Sequence, residues 1–143
     1  MSIELFNIDC MEYMDGLPDK AFDLAIVDPP YGIGMDGKVG IDGSAEAKNY
    51  TEKQWDKKPP ADIYFTELLR ISKNQIVWGA NHFISKLPYD SPCWIVWDKE
   101  KVGGFYADCE LAWTSFDTAV RQFTFAWHGF IQGQMGHWKE HRI

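Results

Sequence analysis

Hydrophobic positions in this chain gather in short dense runs, separated by polar breaks marked with glycine and proline, and each run suits one strand or one short helix. Residues 3–8, Ile-Glu-Leu-Phe-Asn-Ile, predict a strand that stops at Asp9, and Cys10 to Leu17 then read as a short helix ended by Pro18-Asp19. Residues 22–27, Phe-Asp-Leu-Ala-Ile-Val, are apolar enough for a strand covered on both faces. In residues 63–72, Ile63, Leu68, Leu69 and Ile71 fall mostly on one side at helical spacing, with Asp62 as the expected cap and Lys73-Asn74 as the break. Residues 75–83 predict a second buried strand with a small-residue turn at Gly79-Ala80-Asn81, and residues 92–99 a third that ends in an acid and a base. Residues 108–116 alternate more clearly, which suits a strand nearer a sheet edge. Residues 121–127 alternate too, with Phe123, Phe125 and Trp127 on one face.

Asp28-Pro29-Pro30-Tyr31 follows the 22–27 run without an intervening turn. The tetrapeptide therefore stands at the carboxyl end of a strand, the edge where ligands bind in open α/β sheets. Both prolines have fixed φ, and a residue before proline is pushed out of the helical region, so Asp28 is held extended in a stiff turn. Neither proline has an N–H, so this stretch offers carbonyl acceptors beside the two carboxylate oxygens of Asp28, and Tyr31 adds an aromatic face. Such acceptors suit a planar ring with an exocyclic amine, which donates two hydrogen bonds while the ring stacks, for about 1–3 kcal/mol. They also favour the tetrahedral nitrogen that forms when the amine attacks an electrophile. The plainer alternative is a rigid surface turn with Tyr31 as a packing residue.

The stretch after Tyr31 carries a glycine at almost every third place to Ser44, and residues 48–60 are polar and charged. Residues 32–60 are thus expected to form a flexible loop, a lid hanging from the turn. Lys38, Lys48, Lys53, Lys57 and Lys58 are available to phosphates, although interleaved acids balance them. The net charge of −7 works against approach to a polyanion without excluding it. A hydrophobic content of 45% and seven tryptophans argue against disorder for a chain of one domain's length. Three scattered cysteines with no C-x-x-C support neither a disulfide framework nor a zinc knuckle, and His137 and His141 lack a third ligand nearby, so no metal is expected. No apolar run nears membrane-spanning length and the amino terminus has no signal-peptide plan, so a cytoplasmic protein without a membrane partner is expected.

The run from Phe22 through Asp28-Pro29-Pro30-Tyr31 to Gly32 resembles the catalytic motif of the DNA amino-methyltransferases, which move a methyl group from S-adenosylmethionine to N6 of adenine or N4 of cytosine. The Asp form of the motif is commoner among the adenine enzymes. The resemblance implies an α/β, Rossmann-like methyltransferase fold, with Asp28, Pro29, Pro30 and Tyr31 catalytic and a flipped DNA base as substrate. It also places Asp9 and Asp28 beside the cofactor, whereas Asp9 read by itself is an ordinary helix cap. Trp78 and Asn81 fall where the family borders its cofactor or base, or else Trp78 is core. The order of motifs is similar to that of the permuted group, in which a cofactor-binding glycine turn follows the catalytic half. No such turn is found here, so the resemblance implies an incomplete fold, the catalytic part alone. Its missing strands would lie between residues 3–8 and 22–27, leaving an uncovered edge that associates with a second copy or with a C-terminal half. Activity on N4 of cytosine, or an inactive methyltransferase-like module that pairs with a partner, remain the alternatives.

Overall fold

The computed structural model describes residues 3–34, 55–100, 107–128 and 131–132. Helix α1 is Cys10–Asp15 and strand β1 is Phe22–Val27; helix α2, Asp62–Ile71, runs directly into β2, Ser72–Trp78. Single 3-10 turns follow at Ala80–His82 and Ile84–Lys86, then β3 (Trp94–Asp98), β4 (Cys109–Thr114), β5 (Arg121–Thr124) and the small pair β6 (Trp127–His128) and β7 (Ile131–Gln132). Five strands form one mixed sheet in the order β1-β2-β4-β3-β5. β1 and β2 are parallel, as are β3 and β5, and β4 runs antiparallel to both of its neighbours. The architecture is mixed α/β and compatible with a Rossmann-like arrangement. Among the described residues no helix is long and apolar enough to cross a membrane.

Strand alternation assigns the side chains to two faces. Pairing of Val27 with Val77 and of Val77 with Trp113 puts these residues on one face, together with Ala25 and Trp94. Phe65 and Leu68 of α2 pack there with Ala80 and Phe83 of the turn region to make the core. The other face carries Leu24 and Ile26 beside Asn74 and Ile76, then Trp78, Ile95, Trp97 and Phe123. Phe22, Leu24 and Ile26 are exposed there, Ile26 to 62%.

Four expectations change. The strand at residues 22–27 is covered on one face and not on both, since nothing among the described residues packs over Phe22, Leu24 and Ile26. Residues 3–8 form no strand: they lie exposed, with Leu5 at 92%, because no neighbouring strand among the described residues supplies ladder hydrogen bonds. Residues 109–114 are central instead of peripheral. The polar positions that made the stretch look half-solvated are satisfied inside the protein: Thr114 Oγ1 donates to the Cys93 carbonyl at 2.7 Å, and Glu110 is ion-paired with Lys99. Asp62 is the first residue of α2, not its cap. Ala61 holds the cap position without a side-chain bond, and the Asp62 carboxylate instead receives the Lys86 ammonium at 2.7 Å. Most of the expected 32–60 lid, together with Lys38, Lys48, Lys53, His137 and His141, lies outside the described residues.

Arg70 of α2 fixes α1 in place. Its guanidinium donates to the carbonyls of Met14 and Leu17, each at 2.7 Å, adding to the backbone bond that the Leu17 N–H already makes to Met14 at the end of α1. Lys20 strengthens the same junction by donating to the carbonyls of Leu69 and Ser72. The start of α1 is thereby held beside the carboxyl end of β1.

Candidate active site

β1 ends at Val27, and the next four residues turn away from the sheet with Pro29 buried, Pro30 and Tyr31 half-buried and Asp28 exposed. Three cavities meet around this turn, and Asp28 is the residue that, with or without its neighbours, borders all of them. The first, about 440 Å³, includes Pro29, Tyr31, His82, Lys99 and Glu110 in its wall. The second, about 410 Å³, is walled by Trp78, Trp97, Phe123 and Phe125 with Tyr31 and Glu110. The third, about 530 Å³, lies toward the helices and is lined by Cys10, Met11, Lys58, Ile63 and Tyr64 with Pro29 and Pro30.

The Tyr31 hydroxyl donates to Asp28 Oδ1 at 2.6 Å. Burial, then the bond to Asp28 and the nearby carboxylates Glu110 and Asp56, pushes the phenol well above its ordinary range, so it stays protonated and remains a donor. Oδ2 of Asp28 has no hydrogen-bond partner among the described residues and stays available as an acceptor. The Tyr31 ring lies nearly parallel to His82, with centroids 4.9 Å apart and planes 14° apart, so His82 covers one face of the Tyr31 ring. Gly79 makes this placement possible. It has φ +66°, and a Cβ there would stand 1.9 Å from Tyr31 Cε1, so any side chain would displace the ring.

The far side of the turn is tied down by Asp56, which is only 2% exposed. Its Oδ1 accepts the Gly32 N–H at 2.8 Å, and its carbonyl accepts the Gly34 N–H at 2.9 Å. Gly32 has φ +76°, and a Cβ on it would come within 2.5 Å of Pro59 Cδ. Backbone on both sides of residues 35–54 is thus tied to one buried residue, Asp56, through its carboxylate and its carbonyl.

Of the residues singled out in the sequence, Asp28, Pro29, Pro30 and Tyr31 come together as a unit. Asp9 caps α1, its Oδ1 accepting from the Met11 N–H at 2.8 Å and more weakly from Glu12, so the cap role holds. Its successors Cys10 and Met11 border the third cavity. Trp78 lines the second cavity, and Asn81 lines none of the three. Sequence reasoning missed His82, Asp56, Lys99 and Glu110. Lys99 and Glu110 meet only because β3 and β4 pair Trp97 with Glu110, a register that no local pattern displays. No protein-family model matches the chain, and no curated protein does.

Proposed function

We propose that this chain carries the catalytic part of an S-adenosylmethionine-dependent methyltransferase that acts on the exocyclic amine of a DNA base, with N6 of adenine favoured by the Asp form of the motif. The observation that supports it is the position of Asp28, whose carboxylate borders a cavity walled by aromatic and charged groups on one side and a cavity against α1 and α2 on the other. A transfer reaction needs that arrangement, with donor and acceptor reaching one point from two sides.

The third cavity fits the cofactor in size and chemistry. Met11, Ile63 and Tyr64 offer apolar and aromatic surface for a purine and a thioether, and Lys58 offers a cation for a carboxylate. A cofactor role for Asp9 falls to its second oxygen, because Oδ1 is used by α1. When bound, S-adenosylmethionine would supply an electrophilic methyl group, with its sulfur as the leaving atom. The protein's own groups do the rest. Asp28 Oδ2 and the carbonyl of Pro29 hold the amine hydrogens and aim its lone pair away from the ring plane. Tyr31 steadies Asp28 through Oδ1 and leaves Oδ2 to the amine. After transfer, the excess proton on nitrogen passes to Asp28, the nearest base.

Cytosine N4 presents the same amine-beside-nitrogen edge, and identification of the methylated base separates the two substrates. A second reading, a methyltransferase-like module that works with a partner, is favoured by the exposed Phe22, Leu24 and Ile26 on edge strand β1. In it, the β1 edge pairs with a second copy or with a C-terminal half of the same kind of enzyme.

Calorimetric titration with S-adenosylmethionine, followed by methyl incorporation into unmodified DNA, tests the proposal. Saturable binding and incorporation are expected, and Asp28→Ala lowers turnover at least about 100-fold without unfolding the protein. Retained turnover in Asp28→Ala overturns the catalytic assignment.

A further inference from the structure

The first cavity holds a charged pair that the proposed transfer step does not use. Lys99 stands one residue beyond β3, its backbone N–H bonded to the Asp108 carbonyl at 3.1 Å. Its ammonium folds back over the Trp97 ring, 5.5 Å from the centroid, and pairs with Glu110 of β4. The pair is well sheltered, with the Lys99 side chain only 12% exposed. An ion pair removed from water in this way is weak evidence for stability, because desolvation offsets much of its attraction. Its position beside Asp28 in one cavity calls for a reading in terms of a ligand.

Resting on the methyltransferase reading above, we infer that Lys99 is a specificity-determining residue, donating a hydrogen bond to the ring nitrogen next to the target amine, while Glu110 positions it. An ammonium has three donors and no acceptor, and Glu110 engages it from one side. Asp28 is its complement, an acceptor with one oxygen uncommitted. Acceptor and donor in the same cavity match a planar edge that presents an N–H donor beside a bare ring nitrogen. Adenine (N6 beside N1) and cytosine (N4 beside N3) have that edge. Guanine and thymine place a carbonyl oxygen beside a ring N–H, which reverses the order and sets like against like. The donor also directs where the methyl goes. In free adenine the ring nitrogen is the better nucleophile, since the amine lone pair is delocalised into the ring. Holding that nitrogen's lone pair on an ammonium removes it as a competitor and leaves the exocyclic amine to react.

The test is equilibrium binding, read by tryptophan fluorescence, of single-stranded thymine oligonucleotides carrying one central adenine, one 1-deazaadenine (ring N1 replaced by C–H), or no substitution. The unaltered protein is expected to bind the adenine strand about tenfold more tightly than the 1-deazaadenine strand, the size of effect set by one hydrogen bond to a charged group. Lys99→Met should bind both alike, Lys99→Arg should recover most of the preference, and Glu110→Gln should weaken it several-fold, each checked for native circular dichroism. A folded Lys99→Met that keeps the tenfold preference overturns the assignment of Lys99 and leaves the methyltransferase reading standing. Equal binding of adenine and 1-deazaadenine strands by the unaltered protein overturns it without recourse to any variant. Equal binding of all three strands overturns the amine-binding site itself, and the inference with it.

Discussion

The two faces of the five-stranded sheet are made by the same strands, residue by alternate residue, yet they differ in almost every physical respect. On one, Val77 and Trp113 lie beneath Phe65 and Leu68 of α2, and the residues between are closed off from water. On the other, Leu24 and Ile26 stand in solvent at the β1 side, while Trp78, Trp97 and Phe123 cluster near the turn at Asp28 to Tyr31, Trp97 and Phe123 stacked at 10° and 6.1 Å. The difference teaches that apolar character in a strand does not say what covers it. Both faces read as core in the sequence. One holds the described fold together, and the other is an aromatic wall at one end and an open apolar surface at the other.

Breaking the covered face should have the largest effect. Trp113→Ala removes a side chain that is 2% exposed and whose indole N–H donates to the Tyr89 carbonyl, and should cost about 3–5 kcal/mol in urea unfolding. Gly79→Ala comes next, because it forces a Cβ into the space of the Tyr31 ring at a positive φ. A loss of about 1–3 kcal/mol is expected, with substrate binding weakened further than stability. A smaller effect is expected from alkali. Tyr31 has a folded pKa raised above its unfolded value near 10, so its contribution is fully present below pH 10 and is lost as pH rises beyond it. Ultraviolet titration should find one phenol that resists ionisation well past the others, and Tyr31→Phe should remove it. Tyr64, pushed up to about 12 chiefly by burial, should titrate between the two. The smallest effect on stability belongs to the open face. Ile26→Lys should change the unfolding free energy by less than about 0.5 kcal/mol. In light scattering it should abolish whatever self-association the unaltered chain shows, and a large stability loss instead would mean that the face is covered.

Much of the fold was legible because local pattern and tertiary role agreed. The strand at residues 22–27, the helix that follows Pro59-Pro60 and the strands ending at Trp78 and Asp98 all appear with boundaries shifted by a few residues. The stiff turn at Asp28 to Tyr31 was legible for the same reason, since proline geometry is a property of the residues themselves. Failures came where a partner decides. Residues 3–8 have strand composition, but a strand needs a neighbour to bond with. Residues 109–114 have an edge-like alternation, but Glu110 and Thr114 find their partners inside the sheet. Within the site, Tyr31 was legible as an aromatic surface. That its hydroxyl would bond Asp28 and its ring would lie along His82 depends on the left-handed turn at Gly79, which is distant along the chain and comes beside Tyr31 only in three dimensions.

The buried Asp56 carboxylate has a consequence for how such a protein can change. The Gly32 N–H donates to the carboxylate, the Gly34 N–H donates to the Asp56 carbonyl, and Trp55 precedes Asp56 in the chain, so residues 34 and 55 are both held at this one residue. Between two points fixed in this way the entropy of closure grows only with the logarithm of the number of residues that join them, so doubling that number costs about 0.6 kcal/mol. A replacement between the same two anchors should leave Asp28 and Tyr31 where they are, because the turn that holds them is tied to Asp56 and not to what lies between.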